Sequence, residues 1–186
     1  YGSPKYIELI KKNIIFFKED GSFKLNIKYF NFLKGLTMTN KKFENLFNLK
    51  RRSSSDKLLQ IHMDIAASAQ KVLEEIIIKI CTHTRKITNS KNLTLAGGVA
   101  LNCVANSRIL QSKLFDNIWI QPASGDAGGA LGAALAFWHE HLNKKKDNTK
   151  DIMQGSFLGS SYTNNEIKSK LNNLGAIMNN YDDEKY

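Results

Sequence analysis

The chain has 186 residues, 42% of them hydrophobic and 24% charged, which is ordinary for a soluble globular protein and sufficient for one sizeable core plus an appendage. It has no run of ~18 apolar residues, so a transmembrane helix is not expected, and two cysteines without CxxC spacing argue for reduced, buried thiols and a cytoplasmic location. The formal charge of +10 invites a nucleic-acid partner, but residues 1–55 carry 12 Lys and Arg against 4 Asp and Glu, scattered among Asn, Ile and Phe except at Lys50-Arg51-Arg52, a pattern that reads as a solvated surface.

The opening YGSPKYIELIKK has neither an apolar signal core nor an initiator Met, so the chain reads as an internal piece of something longer. From Pro4 to about Phe17, the helical spacing of Tyr6, Leu9, Ile10, Ile14 and Phe17 predicts a helix. Asp20-Gly21 makes a turn, and the alternation of Phe23, Leu25, Ile27 and Tyr29 predicts a strand. A short helix is expected at Lys41–Phe47, then a loop at Lys50–Asp56 whose Ser55 or Asp56 caps the next helix. That next helix is the strongest in the chain. Leu58, Ile61, Ile65, Ala69, Val72, Ile76 and Ile80 recur at three- and four-residue steps to about Lys86, roughly 45 Å at the standard rise. It is expected to be a scaffold, with Ala66-Ala67-Ser68-Ala69 as a patch for close packing.

Two strand–glycine turn–helix units follow. Leu93–Ala96 is read as a buried strand, Gly97-Gly98 as the turn and Val99–Leu110 as a helix. Ile118–Gln121 is a second strand ended by Pro122, and Gly125-Asp126 opens a helix over Ala127–His141. Gly128, Gly129 and Gly132 would weaken an exposed helix by about 1 kcal/mol each, which implies tight packing or close ligand approach. Lys144–Lys150 is a charged break, Thr163 with Glu166 fits a capping box, and the chain ends in the acidic stretch DDEKY.

The two glycine turns, about 28 residues apart, carry the chemistry. Glycines at a strand-to-helix turn let a ligand approach the backbone, where N–H groups favour an anion. Gly97, Gly98 and Val99 can therefore present N–H groups to a phosphate, with Asn102 hydrogen-bonding a ribose or phosphate. The alternative is a tight structural turn in which Asn102 caps locally. The pattern is neither GxGxxG nor GxxxxGK[ST], so no Rossmann fingerprint or P-loop is read. Asp126 is either a helix cap or a carboxylate that ligates a divalent metal. His139 and His141 are spaced i,i+2 and point to different helix faces, and His62 and His83 read as structural or exposed.

The stretch LAGGVALNCVANSRI followed by FDNIWIQPASGDAGGALGAAL resembles the O-carbamoyltransferases of the NodU/CmcH type, as do YGSPKYIELI, SFKLNIKYFNF and HMDIAASAQKVLEE. The resemblance covers most of residues 1–140. It implies an α/β fold, part of an actin/sugar-kinase/Hsp70-like (ASKHA) domain, with residues 1–146 the second half of a transfer domain and residues 147–186 the start of a connection to a domain that makes carbamoyl-adenylate from carbamoyl phosphate and ATP. It implies transfer of the carbamoyl group to a hydroxyl of a small-molecule or sugar acceptor. Gly97, Gly98, Val99 and Asn102 would then line the adenylate pocket, and Asp126 would be one ligand of a divalent metal such as iron. The family's HxxxH pair of metal ligands does not occur in this sequence, so the chain is expected to hold one half of the site and to be inactive alone. Two other readings are a tRNA threonylcarbamoyl-transferring relative and a non-catalytic nucleotide-binding module.

Overall fold

The computed structural model describes residues 1–146 and 153–179, which divide between two compact units, one running to Leu142 and the other beginning at Asn143. The first unit opens with α1 (Ile7–Asn13), which is shorter than the helix expected over residues 4–17. Ile14 and Ile15 are β-branched and stiff at χ1, and the chain passes at Ile15 into a strand. β1 (Ile15–Phe17) pairs antiparallel with β2 (Phe23–Leu25), setting Ile15 opposite Leu25 and Phe17 opposite Phe23. Gly21, at φ +82°, makes the turn between them. The strand expected along residues 23–29 ends at Leu25, because Asn26 Nδ2 donates to the Asn13 carbonyl at 2.8 Å and Ile27–Tyr29 coil into a 3-10 turn.

α2 (Lys41–Phe47) lies where its pattern predicts, with the Asn40 side chain accepting from the Lys42 N–H at 2.9 Å. α3 (Gln60–Thr88) is capped differently from expectation. Asp56 turns back on its own loop and accepts from the Ser53 N–H at 2.7 Å, whereas His62 Nδ1 accepts from the Leu59 N–H at 2.9 Å.

α3 forms a wall between two cores. On one side Ile10, Ile14, Tyr29 and Phe47 pack with Val72 and Ile76. On the other Cys81 packs with Ile109 and Phe115, against the partly buried Ile77, Ile78, Leu93, Leu95 and Ile118. The single apolar stripe read from the sequence is thus two stripes, and Leu58 and Ile80 lie exposed outside them. The small patch does receive a close neighbour: the Tyr6 N–H donates to the fully buried Ser68 Oγ at 3.0 Å, and Gly2 sits against the Met63 carbonyl so closely that a Cβ would clash.

Beyond α3, β3 (Asn92–Leu95) runs parallel to β4 (Asn117–Ile120), with Leu93 opposite Ile118 and Leu95 opposite Ile120. The crossover between them is α4 (Cys103–Ser112), preceded by a 3-10 turn at Gly98–Leu101 where a continuous helix from Val99 was expected. This is a mixed α/β architecture of two small sheets and one long helix. α5 (Ala127–Ala136) ends in a single π-helical turn, Phe137–His141. No residue of α5 is buried, and of its glycines only Gly128 is hemmed in, by the Ala123 carbonyl; Gly129 and Gly132 face open space, so tight packing explains one of the three. The expectation of buried cysteines likewise holds for Cys81 and fails for Cys103, which is exposed.

In the second unit, α6 (Asn164–Asn173) carries the expected capping box: the Thr163 N–H donates to Glu166 Oε2 at 2.7 Å and the Glu166 N–H to Thr163 Oγ1 at 3.3 Å. Most of the charged break at 144–150 and the DDEKY end lie outside the described residues. Among the described residues no helix is long and apolar enough to cross a membrane.

Candidate functional site

The two glycine turns meet at the end of the β3–β4 pair. The Gly97 N–H donates to the Ser124 carbonyl at 2.7 Å, and the Gln121 N–H reaches the Leu95 carbonyl at 3.1 Å. Gly97 has φ 98° and ψ 159°, a region essentially reserved for glycine, so its identity is a backbone requirement. Gly98 is different. Its backbone is ordinary, and a Cβ there would have nothing within 4 Å. The fold leaves room over Gly98 that it does not itself use. Gly98 and Val99 open the 3-10 turn, so their N–H groups receive no carbonyl from it. Val99 and Leu101 are exposed beside them.

Asn102 ends that turn and caps α4, its Oδ1 accepting from the Ala105 N–H at 3.0 Å. It also pairs reciprocally with Gln70 of α3: Asn102 Nδ2 donates to Gln70 Oε1 at 2.9 Å, and Gln70 Nε2 donates back to Asn102 Oδ1 at 3.2 Å. Gln70 Nε2 reaches Glu74 Oε1 as well, at 3.2 Å. Glu74 is only 5% exposed, and its Oε2 takes Lys71 Nζ at 2.8 Å and Arg108 Nε at 3.4 Å. Burial pushes the Glu74 carboxyl up, but the hydrogen bonds from Lys71 and Gln70 and the nearby charges of Lys71 and Arg108 outweigh it and hold the group below its ordinary range. A cavity of about 400 Å³ lies beside this network, bordered by Lys71, Glu74, Cys103 and Arg108.

On the second turn, Ser124 is 95% buried, being 5% exposed, and its Oγ has no hydrogen-bond partner among the described residues. Asp126, two residues on, precedes α5 without capping it: its own backbone is helical and its side chain makes no cap hydrogen bond. The carboxylate is exposed, and no hydrogen bond or ion pair joins it to Gly97, Gly98, Val99 or Asn102. The four residues expected at the adenylate thus share one turn, while Asp126 stands on the neighbouring turn that Ser124 ties to it. Among the described residues no three His, Cys, Asp or Glu side chains converge as a metal would require. One free carboxylate fits as a single oxygen-bearing member of a larger ligand set.

Comparison with known proteins decides the lineage. The family described as carbamoyltransferase N-terminus matches residues 1–135. The chain belongs to that family. The carbamoyltransferase resemblance read from the glycine motifs is therefore confirmed. The chain is 51% identical to an uncharacterized protein of Synechocystis over 99% of its own length, but spans only 30% of that relative. It is 49% identical to the nodulation protein NolO of Bradyrhizobium diazoefficiens over 62% of this chain and 21% of the relative, and 43% identical to the nodulation protein NolNO of Sinorhizobium fredii over 54% and 15%. This carbamoyltransferase segment thus covers less than a third of the length of each.

The residues that sequence reading missed are Gln70, Glu74 and Ser124. Gln70 and Glu74 lie one helical turn apart on α3, on the face that runs on to Ile77, Ile78 and Cys81, and only the tertiary pairing with Asn102 sets them apart from other polar helix residues. Ser124 carried no signal, because its burial follows from the parallel β3–β4 pairing.

Proposed function

We propose that this chain contributes the adenylate-binding part of an ATP-dependent O-carbamoyltransferase with an ASKHA-type transfer domain, of which residues 1–146 are the second half and residues 147–186 lead toward the carbamoyl-adenylate-forming domain. The observation that carries the reading is the unfilled space over Gly98: a glycine that neither backbone nor packing demands, next to N–H groups without carbonyl partners among the described residues. A carbamoyl-adenylate phosphate suits it, since backbone N–H groups there can hold anionic oxygens. Family membership supplies the carbamoyl chemistry.

In this reading water releases carbamate and phosphate from carbamoyl phosphate, and a carbamate oxygen attacks the α-phosphorus of ATP, giving carbamoyl-adenylate as pyrophosphate leaves. A hydroxyl oxygen of the acceptor attacks the carbamoyl carbon, the bond from that carbon to the phosphate oxygen breaks, AMP leaves and the hydroxyl proton passes to a base. The Gly98 and Val99 N–H groups hold the phosphate in place and favour the charge that builds on it as AMP departs. Asn102 offers its remaining N–H to an adenylate oxygen. Asp126 would be one ligand to a divalent metal such as iron, which when bound would polarise the donor.

Gly98→Val tests the reading, because a Cβ at that position meets nothing within 4 Å. Calorimetry with AMP should show binding to the unaltered chain and its loss in Gly98→Val at an unchanged melting temperature. Equal affinity in the two would refute the adenylate assignment.

A further inference from the structure

The proposed function leaves Gln70 without a role, although this side chain of α3 holds the turn's most polar residue. We propose that Gln70 is a positioning residue: it orients the Asn102 carboxamide, and the buried Glu74 in turn fixes which way Gln70 faces. This rests on the reading of the Gly97–Asn102 turn as the adenylate pocket.

The hydrogen-bond accounting carries the argument. An asparagine amide has two acceptor sites and two donor hydrogens. Asn102 Oδ1 is filled by the Ala105 N–H and by Gln70 Nε2. One Nδ2 hydrogen goes to Gln70 Oε1, and the other has no acceptor among the described residues. The terminal torsion of an asparagine is broad, so the cap bond to Ala105 alone would leave the direction of that last hydrogen loosely set. Three bonds fix the plane.

Gln70 could satisfy Asn102 in only one of its two amide orientations. Glu74 selects it. Turned over, Gln70 would set its Oε1 against the Glu74 carboxylate, whereas as it stands Nε2 donates to Glu74 Oε1. Lys71 and Arg108 are the cations that hold Glu74 charged and in place, from α3 and α4 respectively. A buried charge on α3 therefore determines the direction of a single N–H on the glycine turn, through one intervening side chain.

The test is a double-mutant cycle on AMP affinity with the full chain, measured by calorimetry. Gln70→Met keeps the stem length and removes every hydrogen bond. It should weaken AMP binding about tenfold. Asn102→Ala should weaken it to a similar degree, and adding Gln70→Met to Asn102→Ala should change nothing further, because Gln70 acts through Asn102. A merely structural contribution would lower affinity by the same factor in both backgrounds, and that result overturns the proposal. So does unchanged affinity in either single variant. If Gln70→Met fails to fold by circular dichroism, Gln70→Leu, which is likewise uncharged and removes every hydrogen bond, takes its place with the same expectation. An unaltered chain that binds no AMP overturns the adenylate reading itself, and this inference with it.

Discussion

The Gly97 N–H and the Ser124 carbonyl lie 2.7 Å apart, a single backbone hydrogen bond that joins the turn after β3 to the turn after β4. Because the strands are parallel, both turns emerge at the same edge, and one bond suffices to register them. Gly97 makes that bond with φ at +98°.

The two adjacent glycines should therefore respond differently to alanine. Gly97→Ala forces a side chain into glycine-only backbone and should cost about 1–3 kcal/mol. Gly98→Ala meets nothing within 4 Å and should stay within about 0.5 kcal/mol of the parent. Urea unfolding of the two variants checks this, and equal losses would refute the distinction.

Ser124→Ala removes a buried hydroxyl that has no partner among the described residues. An unpaired buried polar group costs about 1–3 kcal/mol, so the alanine variant should be more stable than the parent, by about 1 kcal/mol. The midpoint of thermal or urea unfolding should rise. A fall would mean that the hydroxyl is paired in solution.

α5 offers an internal control. In Gly128→Ala the new methyl runs into the Ala123 carbonyl, and overpacking of this kind costs about 1–3 kcal/mol. Gly132→Ala enters open space on the same helix and should stabilise it by about 0.5–1 kcal/mol. Opposite shifts in melting temperature are expected.

Asp64 sets a pH dependence. The Ser3 N–H, the Gln60 amide and the Lys5 ammonium hold its carboxyl at about 2, below the ordinary 3.8. A carboxyl depressed in the folded state contributes stability above the unfolded value, and that contribution is lost as pH falls from about 4 to 2. Urea midpoints followed over this range should drop in the parent and drop less in Asp64→Asn.

The strong periodic elements were legible in the residues, as were both glycine turns and the Thr163–Glu166 cap. What the sequence hid followed from tertiary choices. α1 stops at Asn13 because Ile15 has a strand partner in Leu25, ten residues away, and no helical pattern records that partner. The start of α3 moved because Asp56 found a nearer N–H in its own loop. At the site, the turn residues were named but Gln70 was not, since its importance lies in a pairing 32 residues distant.

α3 is gripped within one turn from two directions: Ser68 takes the Tyr6 N–H from 62 residues upstream, and Gln70 meets Asn102 from 32 residues downstream. Neither grip can form before the helix segment that carries them exists, so closing both loops must wait on α3. This predicts that folding nucleates at that part of α3. Substitutions at Val72 or Ile76 should slow refolding, whereas those in α5, which buries nothing, should act on the unfolding rate.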